Sequence, residues 1–288
     1  MASKLVLEDL LKAGAHFGHQ TQKWNPKMKP YVYGERNGIY IIDIAQSVNL
    51  AEQAYNFLKK TAASGKSVLF VGTKRQASQV IRDAADQCGA FHVSYRWLGG
   101  MLTNYKTIAL SIDKLRKVEK MKENGDFELL TKKEQSKINK DMDKLEKNLG
   151  GIKHMRKLPG AIFVIDPSSE KIAIQEAKNL NIPVVAITDT NCDPTDVDYV
   201  VPGNDDAIKS ISLFTNYFAQ AVTEGSKNVK VKAKNEGHSS RDVSLEKEII
   251  EKYEKDVELK AEFADPIEAE IEAEKIAEKT EELKSEDA

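Results

Sequence analysis

Four short runs constrain this chain more than anything else in it. Ser67–Val71, Ala161–Ile165, Pro183–Ile187 and Tyr199–Val201 are apolar at almost every position, without polar alternation. A strand with one face in water alternates; a strand buried on both faces does not. Between them lie segments with helical character. Val48–Ala63 places Leu50, Ala54, Phe57 and Leu58 on one face, and Gln76–Gln87 stops before Gly89. Helices also fit Leu5–Ala13, Ser169–Asn179 and Asp205–Thr223, and Phe91–Tyr95 fits a further strand. Buried strands alternating with helices predict βαβ units: an α/β fold with a mainly parallel, Rossmann-like sheet flanked by helices.

Residues 104–157 interrupt that rhythm with 15 basic and 9 acidic side chains and almost no Gly or Pro. Met101, Tyr105, Ile108, Ile112 and Leu115 step by four, three, four and three. After the turn Glu123-Asn124-Gly125-Asp126, Ile138, Met142, Leu145 and Leu149 repeat the step. This heptad seam predicts an antiparallel coiled-coil hairpin over 104–158, inserted in an α/β body of residues 1–225, with two ordinary helices of the domain as the alternative. A seam that closes on itself implies that the body does not need these helices for its own core.

The charge is divided unevenly. The whole chain holds 43 basic and 45 acidic groups, yet residues 242–288 carry a net −11 and the remainder a net +9. The body suits a polyanion, and the tail is expected to stay in solvent. Lys227, Lys230, Lys232 and Lys234 form a basic linker, and Leu245, Ile249, Tyr253 and Val257 one weakly amphipathic helix. The extension 226–288 is therefore expected to be acidic and without fixed packing. No apolar stretch approaches the ~20 residues that a bilayer demands, so no membrane partner is expected. Glu8 and Asp9 come before any signal-peptide core. Cys88 and Cys192 offer no disulfide framework, which fits a reducing cytoplasm.

Motifs for chemistry are weak. Gly65-Lys66-Ser67 mimics the end of a Walker A loop, but Lys60 stands where the first glycine belongs and the triplet precedes its strand. No GxGxxG occurs. Val71-Gly72-Thr73-Lys74-Arg75-Gln76 does follow a strand and open a helix, so its amides and cations suit a phosphate. A nucleotide-binding α/β enzyme built on Gly72–Gln76 is thus the competing hypothesis. His16 and His19 have metal-compatible spacing but lack further ligands nearby, and Asp189, Asp193 and Asp196 form a loose acidic loop. No nucleophile, base or paired-carboxylate arrangement stands out. The expectation is a protein without cofactor, metal or catalysis.

The nucleic-acid signal is broader. Lys23, Trp24, Asn25, Lys27, Lys29, Tyr31, Tyr33 and Arg36 interleave cations with rings, and Pro26 and Pro30 discourage regular helix. Cations neutralise phosphates, and rings stack on unpaired bases. Tyr95-Arg96-Trp97 and Asn104-Tyr105-Lys106 repeat the theme around Gly99-Gly100. The candidate RNA-binding residues are Lys23, Trp24, Asn25, Lys27, Lys29, Arg36, Lys74, Arg75, Arg96, Asn104 and Lys106.

Several blocks carry a resemblance. His16-Phe17-Gly18-His19, Trp24-Asn25-Pro26-Lys27-Met28 and Arg36–Asp43 resemble the bacterial ribosomal small-subunit protein S-two family. So do Phe70–Ala77, Arg96–Asn104, Pro159–Pro167 and Ile182–Pro194, in order along residues 5–225. The resemblance implies a flavodoxin-like domain bearing a coiled-coil hairpin and bound to small-subunit rRNA between head and body. It also implies neighbouring small-subunit proteins as partners and a role in docking the large mRNA-binding ribosomal protein S-one. The extension beyond Gly225 lies outside it.

Overall fold

The computed structural model describes residues 5–236. The chain divides into two units, Met1–Lys232 and Ala233–Ala288, and nearly all described residues belong to the first. The first helix, α1 (Leu7–Ala13), leads into β1 (Phe17–Gln20), β2 (Val32–Arg36) and β3 (Ile39–Ile42). These three form an antiparallel sheet in the order β1-β3-β2. Then follow α2 (Ile44–Ala63), β4 (Val68–Val71), α3 (Arg75–Cys88) and β5 (Phe91–Val93). Next come α4 (Tyr105–Glu123), α5 (Lys132–Leu149), β6 (Ala161–Ile165) and α6 (Lys171–Asn179), and last β7 (Val184–Thr188), β8 (Tyr199–Pro202) and α7 (Ile208–Glu236).

Strands β4 to β8 make one parallel sheet in the order β5-β4-β6-β7-β8. Renumbered within the sheet this is 2-1-3-4-5, the flavodoxin-like order. Its apolar runs are buried on both faces because helices cover both. Val68, Phe70, Phe163, Val185 and Ile187 point to one side, against Leu58 of α2, Ile81 of α3 and Phe214 and Phe218 of α7. Leu69, Val71, Ile162, Val164 and Ala186 point to the other, against Ala173 and Ala177 of α6.

On that second side the structure departs from expectation. Ile108 and Ile112 of α4 and Leu149 of α5 do not close a seam on themselves; they share a cluster with Ile162, Val164 and Val93. The crossover from β5 to β6 must cover the sheet, and the base of the helix pair does so. Farther out, Leu115, Val118 and Met142 form a small separate cluster flanked by Phe127, Ile138 and Leu145.

Two further differences have local causes. The antiparallel sheet is not foreseen, because its strands are short and half exposed and so lack a clean period of two. The last helix does not stop near Thr223 but runs on through Gly225, where the lack of a side chain serves contact rather than termination. A Cβ there would lie 2.4 Å from the Lys59 carbonyl oxygen, so α7 and α2 touch backbone to backbone. The acidic extension beyond Glu236, including Leu245, Ile249, Tyr253 and Val257, lies outside the described residues. No described helix is long and apolar enough to cross a membrane.

Candidate nucleic-acid interface

In a parallel sheet all strands end on the same edge, and this edge gathers most of the basic candidates. Lys74 and Arg75 follow β4, and Arg96 follows β5 on the way to Asn104 and Lys106 at the start of α4. The arm between β1 and β2 is fastened to the loop after β7: Asn25 N–H donates to the Thr190 carbonyl at 2.8 Å, and His19 N–H to Thr190 Oγ1 at 2.9 Å. Gly18 permits this approach, since a Cβ would lie 2.6 Å from Thr190 Cγ2. The arm is two turns of 3-10 helix, Thr21–Lys23 and Pro26–Tyr31, the second capped by Asn25 accepting from Lys27 N–H at 3.0 Å. Pro26 at the first position fits this, because its missing N–H would be unpaired there anyway.

The candidates meet different fates. Lys23, Lys29, Arg36, Arg75, Arg96 and Lys106 are exposed, as is Asn104, which accepts from Thr107 Oγ1 at 2.9 Å. Lys27 is exposed but paired with Asp193 at 2.7 Å and Thr195 at 2.9 Å. Trp24 is half-buried and packs on Tyr40 with ring centroids 5.0 Å apart. The open rings are instead Tyr33, 81% exposed, and Tyr95, 58% exposed. Trp97 is buried.

Lys74 turns inward. Its ammonium lies 2.8 Å from Asp166, 3.0 Å from Asp205 and 3.0 Å from Asp206. Burial alone would lower its pKa, but these carboxylates more than offset that and raise it, so the charge is retained. Asp166 has φ 61 and receives hydrogen bonds from the hydroxyls of Ser168 and Ser169. Burial pushes its carboxyl up, yet Lys74 and the two serines win and hold it at about 2. Asp205 is fully buried; burial first, then Asp189 and Asp166, push it up to about 7. His19 bridges the edge of this cluster, with Nδ1 3.0 Å from Asp189 and Nε2 3.4 Å from Asp206. The hydrogen bond with Asp189 raises its pKa against the effect of burial. His19, Asp205 and Asp206 lie close enough together to hold a metal ion, as do Asp166, Cys192 and Asp205.

The same crevice answers the nucleotide hypothesis. It lies between β4 and β6, the point where open α/β sheets bind phosphates. Here Thr73 N–H donates to Glu170 at 2.9 Å and the Thr73 hydroxyl donates to the same oxygen. With Glu170 on the amide and three aspartates on Lys74, the chain's own carboxylates occupy the groups a phosphate would use.

Sequence reasoning missed Glu176. From inside α6 its carboxylate accepts from Trp97 Nε1, Gly100 N–H, Leu102 N–H, and the Thr103 N–H and hydroxyl, all at 2.8–3.0 Å. Burial raises its pKa, but these donors more than offset that and lower it. One anion thus folds the lead-in to α4 and leaves Arg96 and Lys106 on its outside. No motif announces it; a lone Glu on an otherwise apolar helix face is the only signal.

A family model described as ribosomal protein S2 matches residues 10–225. The chain is also similar to the small ribosomal subunit protein uS2 of Geotalea uraniireducens (strain Rf4). The two are 56% identical over 237 residues, which is 82% of this chain and 93% of that protein.

Proposed function

The chain belongs to the ribosomal protein S2 family, and from that premise we propose that it is a structural component of the small ribosomal subunit in the cytoplasm. The family is one of ribosomal proteins and not of enzymes. In this proposal the strand-end edge binds small-subunit rRNA through Lys23, Lys29, Arg36, Arg75, Arg96 and Lys106. The outer parts of α4 and α5 form the coiled-coil hairpin, and the assembled surface helps dock S-one beside neighbouring small-subunit proteins. The observation that carries the reading is that six cations stand exposed around the arm and the strand ends while Thr73 and Lys74 in the crevice beside them are already engaged by the chain's own carboxylates. The mechanism is phosphate neutralisation and shape fit, with no reaction catalysed.

The test is salt-dependent binding to small-subunit rRNA. Changing Lys23, Lys29 and Arg36 together to Ala should weaken association and reduce the log–log salt slope by about 0.7–0.9 for each phosphate no longer neutralised. Equal binding and an equal slope would remove the arm from the interface. Omitting the chain from reconstituted subunits should lower their retention of S-one; unchanged retention would remove that part of the proposal.

A further inference from the structure

Two buried carboxylates of one helix reach two different basic loops. Glu170 and Glu176 are only 3% and 6% exposed, so their effect on a partner must pass through the groups they hold. Glu176 holds the loop after β5. Its Oε1 accepts from Trp97 Nε1 and Gly100 N–H, and its Oε2 from Leu102 N–H, Thr103 N–H and the Thr103 hydroxyl. Glu170, the N-cap residue of α6, holds the loop after β4 through one oxygen, which accepts from the Thr73 N–H and hydroxyl.

Each hold leaves a cation on the outside. Trp97 is drawn in toward Glu176 while Arg96 beside it is exposed, and Leu102 is buried while Lys106 is exposed. Thr73 is tied to Glu170, and Arg75 two residues on is exposed. The two anchors are six residues apart, roughly 9 Å along a helix axis. Ala173 and Ala177 between and beyond them are fully buried against the sheet, so the rod that carries both anchors is fixed. Cations on loops held in this way meet a polyanion without a further ordering cost.

The two anchors make different chemical demands. At residue 170 a single oxygen accepts, and an amide oxygen would serve as well. At residue 176 both oxygens accept and every partner is a donor. A glutamine there must turn its NH2 group against two or three other donors, so the loop would have to open.

We propose that α6 is the positioning element of the strand-end RNA interface, with Glu176 and Glu170 fixing where Arg96 and Lys106 stand relative to Arg75. The proposal rests on the RNA-binding reading above and names what sets the geometry of that surface. The experiment measures binding of the full chain to protein-free small-subunit rRNA across a salt series, with thermal unfolding followed in parallel. It compares wild type with Glu176→Gln, Trp97→Phe, Glu170→Gln and Glu170→Ala, and with a reference variant carrying Arg96→Ala and Lys106→Ala.

A variant that is merely partly unfolded binds less by the same factor at every salt concentration, so its log–log slope does not move. Glu176→Gln should instead lower the slope as the reference variant does, by about 1.4–1.8 for two phosphates. Adding the reference changes to Glu176→Gln should lower it no further. Trp97→Phe keeps a buried ring but removes one donor, and should lower the slope by less; it decides the matter if the Glu176 variant does not fold. Glu170→Gln should bind like wild type, whereas Glu170→Ala should lose about 0.7–0.9 of slope with Arg75 released. A folded Glu176→Gln or Trp97→Phe with the wild-type slope overturns the positioning role while leaving the interface standing. So does a Glu170→Gln that loses as much slope as Glu170→Ala. A reference variant that keeps the wild-type slope overturns both readings of this edge together.

Discussion

The turn after β4 and the arm before β2 carry the same kind of sequence, short and basic beside a glycine or a proline. Their cations end in opposite settings. Lys74 is held by Asp166, Asp205 and Asp206 at 2.8–3.0 Å, whereas Lys23 and Lys29 stand in solvent. Lys27 is intermediate, exposed yet paired with Asp193. Positive charge on a strand-end loop is therefore not by itself a polyanion site. What decides is whether the neighbouring strand ends supply carboxylates, and those come from residues far away in sequence.

The contrast breaks most sharply at Lys74. Lys74→Met leaves three aspartates facing one another without their cation, and should cost about 3–5 kcal/mol of stability, as removing one partner of a buried pair does. Chemical denaturation at pH 7 measures it; a cost below about 1 kcal/mol, the range of an exposed ion pair, would show that the cage does not hold the fold.

Asp205 gives the same contrast a pH signature. Below its ordinary value of 3.8 both folded and unfolded chains keep this proton, so burial carries no cost. As pH rises from there to about 7 the unfolded chain releases the proton while the folded chain retains it, so stability falls across that window. Asp205→Asn should flatten this fall, making the variant more stable than wild type at about pH 8 and equal to it at about pH 4. Melting temperatures at the two pH values test it, and a variant less stable on the alkaline side would mean that the charged form is favoured.

The smallest effects belong to the arm. Lys27→Ala should lose only about 0.2–1 kcal/mol, the range of an exposed ion pair. Lys29→Ala should stay within about 0.5 kcal/mol of wild type, as surface changes away from special features do. A larger loss at Lys29 would place it among the captured cations.

Most of the fold was legible because strands buried on both faces announce themselves by uninterrupted apolar runs. The edges of elements moved by a few residues, as at Arg75–Cys88 and Lys171–Asn179. What escaped was set by tertiary contact. Gly225 reads as a stop, yet it is a point of helix contact. Ile112 and Leu149 fit a seam by spacing alone, since period cannot say which surface covers them. At the site, the exposed cations were legible as types. The capture of Lys74, the burial of Trp97 and the hub at Glu176 depend on partners brought together from loops and helices distant in sequence, and no local pattern encodes them.

The sheet order also sets the order in which the molecule is assembled. Strand β4 first finds β5 through α3, but its other neighbour is β6, where Val68 meets Ala161. A chain made from its N-terminus therefore exposes one apolar edge of β4 until the whole of α4 and α5 has been synthesised. Such an edge invites pairing with another chain. Contacts within a helix pair are close in sequence and form early, and the base of this pair packs on the face that Leu69 and Val71 present. The insertion can therefore cover the apolar face of β4 before β6 is made, whereas the edge of β4 is closed only by β6 itself.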